Sequence, residues 1–586
     1  MNQRARVANW ILMVAIAVPF VVLATFYSLH TPAWETPDEY WHFAYAAYLR
    51  ETHSIPVTGV TQIASAQHPP LYYALISVLT SPFDLSGWTE LQFNPNFMHH
   101  GGSDINAAVH TSNETFPYHG TTLALHAGRL VSVAIGTATV LLVLLTGWLI
   151  FPQARAIGFL AAALVAFNPQ FLFISSSVNP DNLLAMAIAG MLWQIVRTLP
   201  RPDSLLDWLY VGIWIAVGTL TKVNGLLFAV IAASMLGICA WRSRSWSLLL
   251  RGGIALLIPI ATLTGWWFVR NQILYGDPTG WSAYTHFATN ILRETPVTFA
   301  DLREFFAIQL RSYWGVFGWL NVEAPKWFYN SIKVLYAAAA AGLLVFAIRD
   351  LGKTTENQRL SLTAGGLMIL AHEAYMVRYL VYFGGAWNQG RYIFPLLSPI
   401  ALFLSLGLLS LVPRRFSPAM AGSITCVLLG VAIYMPLAVI TPAYDIVPEP
   451  KWTLWSAQHR TGYEFGEMIA LPKYEVHTKQ DQVDLRLFWR ALRTPDFDYT
   501  AFVHVLDREG NIVAQLDRVP GESRQFLPSS WAPGDIVADF REVPVAGDAK
   551  PAQIRLGFYN WETGERLPVT EGGQLIGDSV LLEVEQ

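Results

Sequence analysis

Long apolar runs, separated by short polar segments, fill the first 440 residues of this chain and leave few folds open to it. A run of about 20 apolar residues is long enough to cross the roughly 30 Å hydrocarbon core of a bilayer as a helix. Such runs lie at roughly residues 10–27, 122–150, 157–176, 182–198, 205–221, 224–241, 247–268, 331–348, 360–382, 392–411 and 417–440. The sequence therefore predicts a polytopic α-helical membrane protein with about eleven transmembrane helices.

The composition agrees with lipid as the solvent for most of the chain. Hydrophobic residues make up 53% and charged residues 14%, against roughly 25% charged in an ordinary soluble protein. The formal net charge of -4, without a long basic block, argues against nucleic acid as a partner. Both cysteines, Cys239 and Cys426, lie inside apolar runs, so they give no sign of a disulfide framework.

Basic residues between the apolar runs predict the orientation of the helices. The loops that alternate along the chain and share the side of Arg4 carry Arg155, Arg197, Arg242, Arg349 and Arg414. By the positive-inside rule these loops and the N-terminus are cytoplasmic. The outer face then receives loops 30–121 and 270–330 and everything after residue 440. The apolar stretch 69–80 is too short to span and predicts an interfacial or re-entrant helix.

The chain changes character after residue 440. From Val483 onward, apolar and polar residues alternate with period two, as expected of a half-buried β-strand. Residues 499–506 and 512–516 flank a turn that contains Gly510 and predict a β-hairpin. We therefore expect a transmembrane domain at 1–440, a linker at 441–482 and an extracytoplasmic all-β sandwich at 483–586.

The polar segment directly after the first apolar run is the most informative. Thr36, Pro37 and Glu39 have the spacing of a helix start, with Thr36 as the N-cap and Glu39 completing a capping box. On that interpretation Asp38 is the carboxylate left free, and His42 lies four residues further on the same helical face. A structural Asp38 that only complements the helix dipole fits the pattern equally well.

A second helix start has the same pattern. Asn179 is the expected N-cap, Pro180 follows it, and Asp181 lies in the first turn. The predicted orientation places Asp181 on the same face as Asp38. Alone, Asp181 is more typical of routine capping, but two acids facing one aqueous cleft favour a catalytic or metal site.

Three basic residues share this predicted outer face: Lys222, Arg270 and Arg391. Such cations suit the phosphate of a lipid-linked ligand, and headgroup anchoring explains each of them equally well. His68, in a rigid turn, would line the cleft or hydrogen-bond its own loop.

A histidine-rich loop runs from His99 to His126. Its spacings match no closed metal-ligand pattern, so no cofactor is assigned and a divalent metal ion is left open.

In their order and shared sidedness, these segments resemble the GT-C superfamily of integral-membrane glycosyltransferases, which includes protein O-mannosyltransferases and aminoarabinose transferases. The resemblance covers about the first 440 residues and is nearest to a bacterial branch with the Pro-Asp-Glu and His-Pro-Pro segments. The segments that carry it are Pro37-Asp38-Glu39, His68-Pro69-Pro70-Leu71-Tyr72-Tyr73, Asn179-Pro180-Asp181, Thr221-Lys222 and Gly390-Arg391-Tyr392.

The resemblance implies transfer of a sugar, with inversion, from a polyprenyl-phosphate carrier to an acceptor hydroxyl outside the bacterial cytoplasmic (inner or plasma) membrane. The implied partners are the lipid-linked sugar donor, membrane lipid and a glycan, lipid or protein acceptor. Asp38 would be the general base. The groups implied to orient the acceptor or a metal are Asp181, Glu39, His42 and His68, and those implied to bind the carrier phosphate are Lys222, Arg270 and Arg391.

Two other classes of function stay open. A lipid or solute transporter would place charged residues near the middle of spans, where they are costly, and His372 and Glu373 are the main candidates. A catalytically inactive scaffold would bind envelope polysaccharide through its β domain and would tolerate the loss of Asp38.

Overall fold

The computed structural model describes two compact units. Unit 1 comprises Met1–Ser86 and Leu123–Ala443, and unit 2 comprises Gly87–Thr122 and Tyr444–Gln586. The residues described are 3–85, 93–94, 97–100, 105–108, 110, 114, 116–287, 292–293, 295–383, 388–444, 449, 454–455, 459–478, 482–522, 526–545 and 551–584.

Unit 1 is built from α-helices. A two-stranded antiparallel ribbon, β1 (Val316–Phe317) and β2 (Val322–Glu323), follows the twelfth helix. The helices are α1 (Gln3–His30), α2 (Glu39–Thr52), α3 (Leu71–Thr80), α4 (Gly120–Ile150), α5 (Arg155–Ala166), α6 (Pro169–Ser175), α7 (Asp181–Thr198), α8 (Leu205–Thr221), α9 (Leu227–Arg242), α10 (Trp246–Tyr275), α11 (Trp281–Phe287), α12 (Phe299–Gly315), α13 (Lys326–Arg349), α14 (Glu356–Phe383), α15 (Leu397–Ser410) and α16 (Ser417–Met435).

The described helices confirm a polytopic membrane protein but not the count of eleven spans. Eight helical segments are long and apolar enough to cross a membrane, or nine if α5 and α6, bent by 61°, form one broken span. Helix α8 has 17 residues, which gives a length of about 26 Å. Helix α7 has 18 residues but includes Asp181, Asn182 and Gln194, which lower its hydropathy. Both helices lie where the sequence predicts them, and α3 is short, as expected.

Close backbone packing fixes the segment before α15. Residues Gly390–Leu396 form a 3₁₀ helix whose first residue lies against the end of α12. A Cβ atom added to Gly390 would be 2.0 Å from Tyr313 N and 2.3 Å from the carbonyl carbon of Ser312. The Gly390 amide also donates to Ser312 Oγ at 2.8 Å. Only glycine lets the backbone at position 390 come so close to that of α12. This close contact determines where the next residue, Arg391, lies.

Unit 2 holds two antiparallel sheets that share one core. The strands are β3 (His459–Phe465), β4 (Ile469–Thr478), β5 (Gln482–Ala491), β6 (Thr500–Leu506), β7 (Ile512–Arg518), β8 (Ile536–Pro544), β9 (Gln553–Tyr559), β10 (Val569–Glu571), β11 (Gln574–Gly577) and β12 (Val580–Glu583). The strand order is β11-β10-β3-β4-β5-β8 in the first sheet and β12-β9-β6-β7 in the second. Trp489 of the first sheet and Phe558 of the second are fully buried, with ring centroids 4.7 Å apart.

The predicted hairpin is confirmed, because β6 pairs with β7 and Gly510 adopts φ 85° in the turn. The predicted boundary at residue 483 needs correction. Strands β3 and β4 lie inside the segment 441–482 that was expected to be a linker. Most side chains of β4 are buried on both faces, which conceals the period-two alternation of a strand with one buried face.

Candidate active site

Asp38 lies immediately before the first residue of α2, in a left-handed backbone conformation with φ 63° and ψ 3°. Aspartate is one of the few residues that tolerate this conformation. The predicted capping box is wrong. Helix α2 begins at Glu39, and the Thr36 hydroxyl makes no hydrogen bond to any described residue. Glu39 cannot close a capping box because its carboxylate binds Arg129 instead. Asp38 nevertheless makes no side-chain cap, so its carboxylate is not used by the helix.

Two carboxylates, those of Asp38 and Asp181, form a single cluster with two cationic side chains, those of Lys222 and Arg391. Asp38 pairs with Arg391, whose side chain is 2% exposed whereas that of Asp38 is 38% exposed. Asp181 accepts a hydrogen bond from Lys222 Nζ at 2.6 Å and lies 3.9 Å from Arg391 Nε. Arg391 Nη1 also donates to the carbonyl of Pro37 at 3.2 Å. Arg391 therefore lies between the two acids, and the structure brings together residues from sequence segments up to 353 positions apart.

Each member of this cluster lies at a helix terminus. The backbone amide of Asp181 donates to Asn179 Oδ1 at 2.9 Å, the capping contact expected from the sequence. Lys222 directly follows α8, and Arg391 is the second residue of the 3₁₀ helix before α15. Charged side chains at helix ends can meet without breaking the helices, which explains why Pro, Asn and Gly surround the cluster in the sequence.

His42 belongs to a buried network beside the cluster. Its Nδ1 lies 3.0 Å from Ser65 Oγ and 3.0 Å from Tyr73 Oη. Burial, together with the charges of Lys222 and Arg391, lowers the pKa of His42 well below its usual value. The imidazole is thus neutral at neutral pH. The side chains of Asp38 and His42 share no hydrogen bond among the described residues, because the Asp38 carboxylate faces Arg391. The two residues are joined only through the backbone, where the His42 amide donates to the Asp38 carbonyl at 3.0 Å.

The other predicted site residues lie around this centre. The ring of His68 is 6.1 Å from that of His42, and its backbone carbonyl accepts a hydrogen bond from Tyr45 Oη at 3.2 Å. Arg270 is directed elsewhere: Nη2 donates to the carbonyl of Pro56 at 2.8 Å, and the guanidinium stacks over Trp267 at 4.9 Å. Arg270 makes no ion pair with an acid of the described chain.

Two features of the site were missed by the sequence analysis. The Tyr392 ring lies 5.4 Å from the Arg391 guanidinium and 5.9 Å from Lys222 Nζ, so both cations share one aromatic wall. Arg129, in the middle of an apolar run, binds Glu39, and both side chains are fully buried. An arginine inside a predicted span was the available signal, because such residues are rare there and usually functional.

The described part of the chain holds no group of three or more His, Cys, Asp or Glu side chains arranged to bind a metal ion. The cluster consists of two carboxylates, two cationic side chains and the aromatic ring of Tyr392. Such a set can accept a proton and can bind a phosphate.

The fold and the cluster together define a polytopic membrane protein with an acid–base site at its helix ends. Residues 118–400 match a family described as "Predicted membrane protein (DUF2142)". Among curated proteins, no sequence matches the chain.

Three of the solved structures that are similar to this chain share 15–18% identity with it. ArnT from Cupriavidus metallidurans bound to undecaprenyl phosphate shares 15% identity and a TM-score of 0.40, over 74% of each chain. An Archaeoglobus fulgidus oligosaccharyltransferase in complex with Zn and sulfate shares 15% identity and a TM-score of 0.39, over 74% of this chain and 55% of its own.

A protein O-mannosyltransferase complex of S. cerevisiae bound to the sugar donor shares 18% identity and a TM-score of 0.30. The match covers 45% of this chain but only 34% of that protein, so this chain spans about a third of its length.

Proposed function

We propose that this chain is a GT-C-type glycosyltransferase that moves a sugar, with inversion, from a polyprenyl-phosphate carrier to an acceptor hydroxyl. The acceptor is a glycan, lipid or protein at the outer face of the bacterial cytoplasmic membrane. The observation that carries the proposal is the cluster of carboxylates and cations. In it the half-exposed Asp38 pairs with the buried Arg391. The Asp181 carboxylate, which pairs with Lys222, lies 3.9 Å from Arg391 Nε. Sugar transfer from a phosphate needs a base for the acceptor and cations for the leaving group, and the cluster offers both.

The proposed step gives each member of the cluster a role. The acceptor oxygen attacks C1 of the sugar, and the Asp38 carboxylate takes the hydroxyl proton. The bond between C1 and the phosphate oxygen breaks, and its electron pair leaves with the carrier phosphate. Lys222 and Arg391 stabilise the charge on that phosphate, and Asp181 orients Lys222.

The pairing of Asp38 with Arg391 in the free protein fits this step. A carrier phosphate that binds Arg391 competes with the Asp38 carboxylate for the same guanidinium. Binding of the donor would therefore free the Asp38 carboxylate from Arg391, so that it can accept the proton of the acceptor hydroxyl. Arg391→Ala and Lys222→Ala should mainly raise the KM for the lipid-linked donor.

The test uses the purified full-length chain in lipid nanodiscs. It is incubated with a panel of polyprenyl-phosphate sugars and candidate acceptors, and release of polyprenyl phosphate is measured. We expect release from at least one sugar, release lowered by about 10² to 10⁴ in Asp38→Asn, and unchanged release by the matched control Asp203→Asn, whose side chain is exposed. Equal release by the wild type and Asp38→Asn would refute the assignment of Asp38.

A lipid or solute transporter is the second candidate. Helix α14 is a candidate span, and it contains the fully buried His372 and the adjacent Glu373, to which Gln309 Nε2 donates at 3.2 Å. Ionisable residues inside a span are costly and mark pathways in transporters. In proteoliposomes, movement of a labelled lipid that is lost in Glu373→Gln, without any release of carrier phosphate, would favour this candidate.

A further inference from the structure

We propose that the buried ion pair of Glu39 and Arg129 is a positioning device that fixes the acid before α2 relative to the acid of α7. The inference rests on the proposed function, because it treats Asp38 and Asp181 as parts of one site. Neither Glu39 nor Arg129 would touch the substrate.

The guanidinium of Arg129 ties the end of α1 to the start of α2. Its Nε and Nη2 donate to the two oxygens of Glu39, at 2.9 Å and 2.6 Å. Its Nη1 donates to the carbonyls of Ser28 at 2.8 Å and Thr31 at 2.9 Å, and Nη2 also donates to that of Pro32 at 3.1 Å. An arginine has five N–H donors. All of them are used here, so the turn that leads to Asp38 is attached at several points.

The carboxylate of Glu39 reaches the second acid-bearing segment as well. Its Oε1 accepts a hydrogen bond from the backbone amide of Val178 at 3.0 Å. The next amide, that of Asn179, donates to Tyr72 Oη at 2.8 Å. Glu39 directly follows Asp38 in the sequence, and Val178 precedes Asp181 by three residues. One carboxylate is therefore bonded to both segments that carry the acids of the cluster.

A purely stabilising role explains this arrangement less well. Both side chains are 0% exposed, and a buried ion pair is often no more stabilising than apolar residues of similar volume. Fully satisfied buried polar networks do, however, specify a single arrangement of the groups around them. Here the group held in place is Asp38, whose left-handed backbone conformation an unconstrained turn would rarely adopt.

The consequence for catalysis is specific. Arg129 contacts none of the cations proposed to bind the carrier phosphate, so its loss should leave donor binding intact. It should displace the base instead, and a misplacement of about 1 Å can cost roughly 10²-fold in rate. We therefore expect Arg129→Lys, which keeps the charge but not the planar two-point contact, to lower kcat by about 10² with little change in KM.

The matched control is Arg50→Lys in α2. Arg50 donates to the carbonyls of Thr80 at 3.4 Å and Phe83 at 2.7 Å, at the opposite end of the helix from Asp38. The same change of residue type, at the far end of the helix that follows Asp38, should leave kcat near the wild-type value. Tyr72→Phe, which removes the contact to Asn179 without changing a charge, should lower kcat by less than Arg129→Lys.

A readout independent of activity separates this inference from the proposed function. The full chain is treated with a carbodiimide and an amine, and labelling of Asp38 is measured by peptide mass spectrometry relative to the exposed Asp203. Labelling of Asp38 should rise several-fold in Arg129→Lys and to a smaller extent in Tyr72→Phe, and it should stay unchanged in Arg50→Lys. If Arg129→Lys does not fold, Tyr72→Phe gives the result.

The outcomes are distinct. Wild-type labelling of Asp38 in folded Arg129→Lys and Tyr72→Phe overturns the positioning role, whatever the activity. Increased labelling in a protein that releases no carrier from any donor supports the positioning role and counts against the proposed transferase.

Discussion

At the scale of single residues, the site depends on how two adjacent acids are used. Asp38 and Glu39 look alike in the sequence, yet Asp38 is half-exposed beside Arg391 and Glu39 is completely buried against Arg129. As the helix-start pattern predicts, the Asp38 carboxylate is not used to cap α2. The predicted reason is wrong, because Glu39 does not cap α2 either. A partner 90 residues away in the chain cannot be found from local spacing.

Asp38→Asn is the direct test of the proposed base. Asparagine also tolerates the left-handed conformation, so the fold should be retained. An amide cannot accept the acceptor's proton at neutral pH, and carrier release should fall by about 10² to 10⁴. The measurement is single-turnover release of polyprenyl phosphate, with thermal unfolding as the check on folding. Full activity of this variant would move the role of base to Asp181.

Glu39→Gln should be a severe substitution, although glutamine would also fit a capping box. It leaves the positive charge of Arg129 buried without its counter-ion, a change that typically costs about 3–5 kcal/mol. The free energy of unfolding in denaturant, compared with that of Glu51→Gln on the exposed end of the same helix, measures the loss. Equal stabilities of the two variants would argue against the buried pair.

The lowered pKa of His42 predicts a dependence of stability on pH. In the unfolded chain His42 takes up a proton as the pH falls through about 6.5, whereas burial and the neighbouring cations keep the folded imidazole neutral. The contribution of His42 to stability is therefore constant above that pH and decreases below it. The Tm should drop between pH 7.5 and 5.5, and should drop less in His42→Gln. Equal drops in both proteins would show that other groups are responsible.

At the scale of secondary-structure elements, helix ends were the most predictable part of the site. Pro37, Asn179 and Gly390 mark the places where chain direction changes, and three charged residues of the cluster lie one or two positions after them. The fourth, Lys222, directly follows α8. Strand β4 was missed because a strand buried on both faces has no alternating pattern. The role of Arg129 was missed because it arises from packing between α4 and α2, which no single element encodes.

Gly390→Ala tests whether backbone packing positions Arg391. The new Cβ would meet the backbone of α12 at 2.0 Å, so the segment must shift, at a cost of about 1–3 kcal/mol. We expect a lower Tm and a loss of carrier release. The control is Gly366→Ala in α14, where a Cβ would meet nothing within 4 Å and helix propensity should leave stability equal or slightly higher. A Gly390→Ala protein as stable as that control would contradict the packing argument.

At the scale of the whole molecule, the apolar runs were sufficient to predict membrane helices, and the change in pattern after residue 440 predicted a β-rich unit. The count of eleven spans is not confirmed, because it takes each apolar run as a span whatever its length and the polar residues within it. Helix α8 has only 17 residues, and Asp181, Asn182 and Gln194 lower the hydropathy of α7.

Orientation is the prediction that belongs to this scale. The alternation of basic loops predicts a cytoplasmic N-terminus and an extracytoplasmic β unit. A reporter that is active only outside the cytoplasm, fused after Gln586, should therefore be active, and a cytoplasmic reporter at the same position should be silent. The reverse result in well-expressed fusions would mean that α3 crosses the membrane and inverts every later segment.

Because Asp38 has a left-handed backbone conformation, the order of Asp38 and Glu39 matters although both residues carry a carboxylate. Exchanging them, as Asp38→Glu with Glu39→Asp, would give an isomeric chain with identical mass, charge and hydropathy. The longer acid would then occupy a conformation that it rarely adopts, and the shorter one would fall about one methylene short of Arg129 and the Val178 amide. A protein indistinguishable by composition would have a displaced carboxylate at position 38 and would have lost the contact proposed to hold that carboxylate in place.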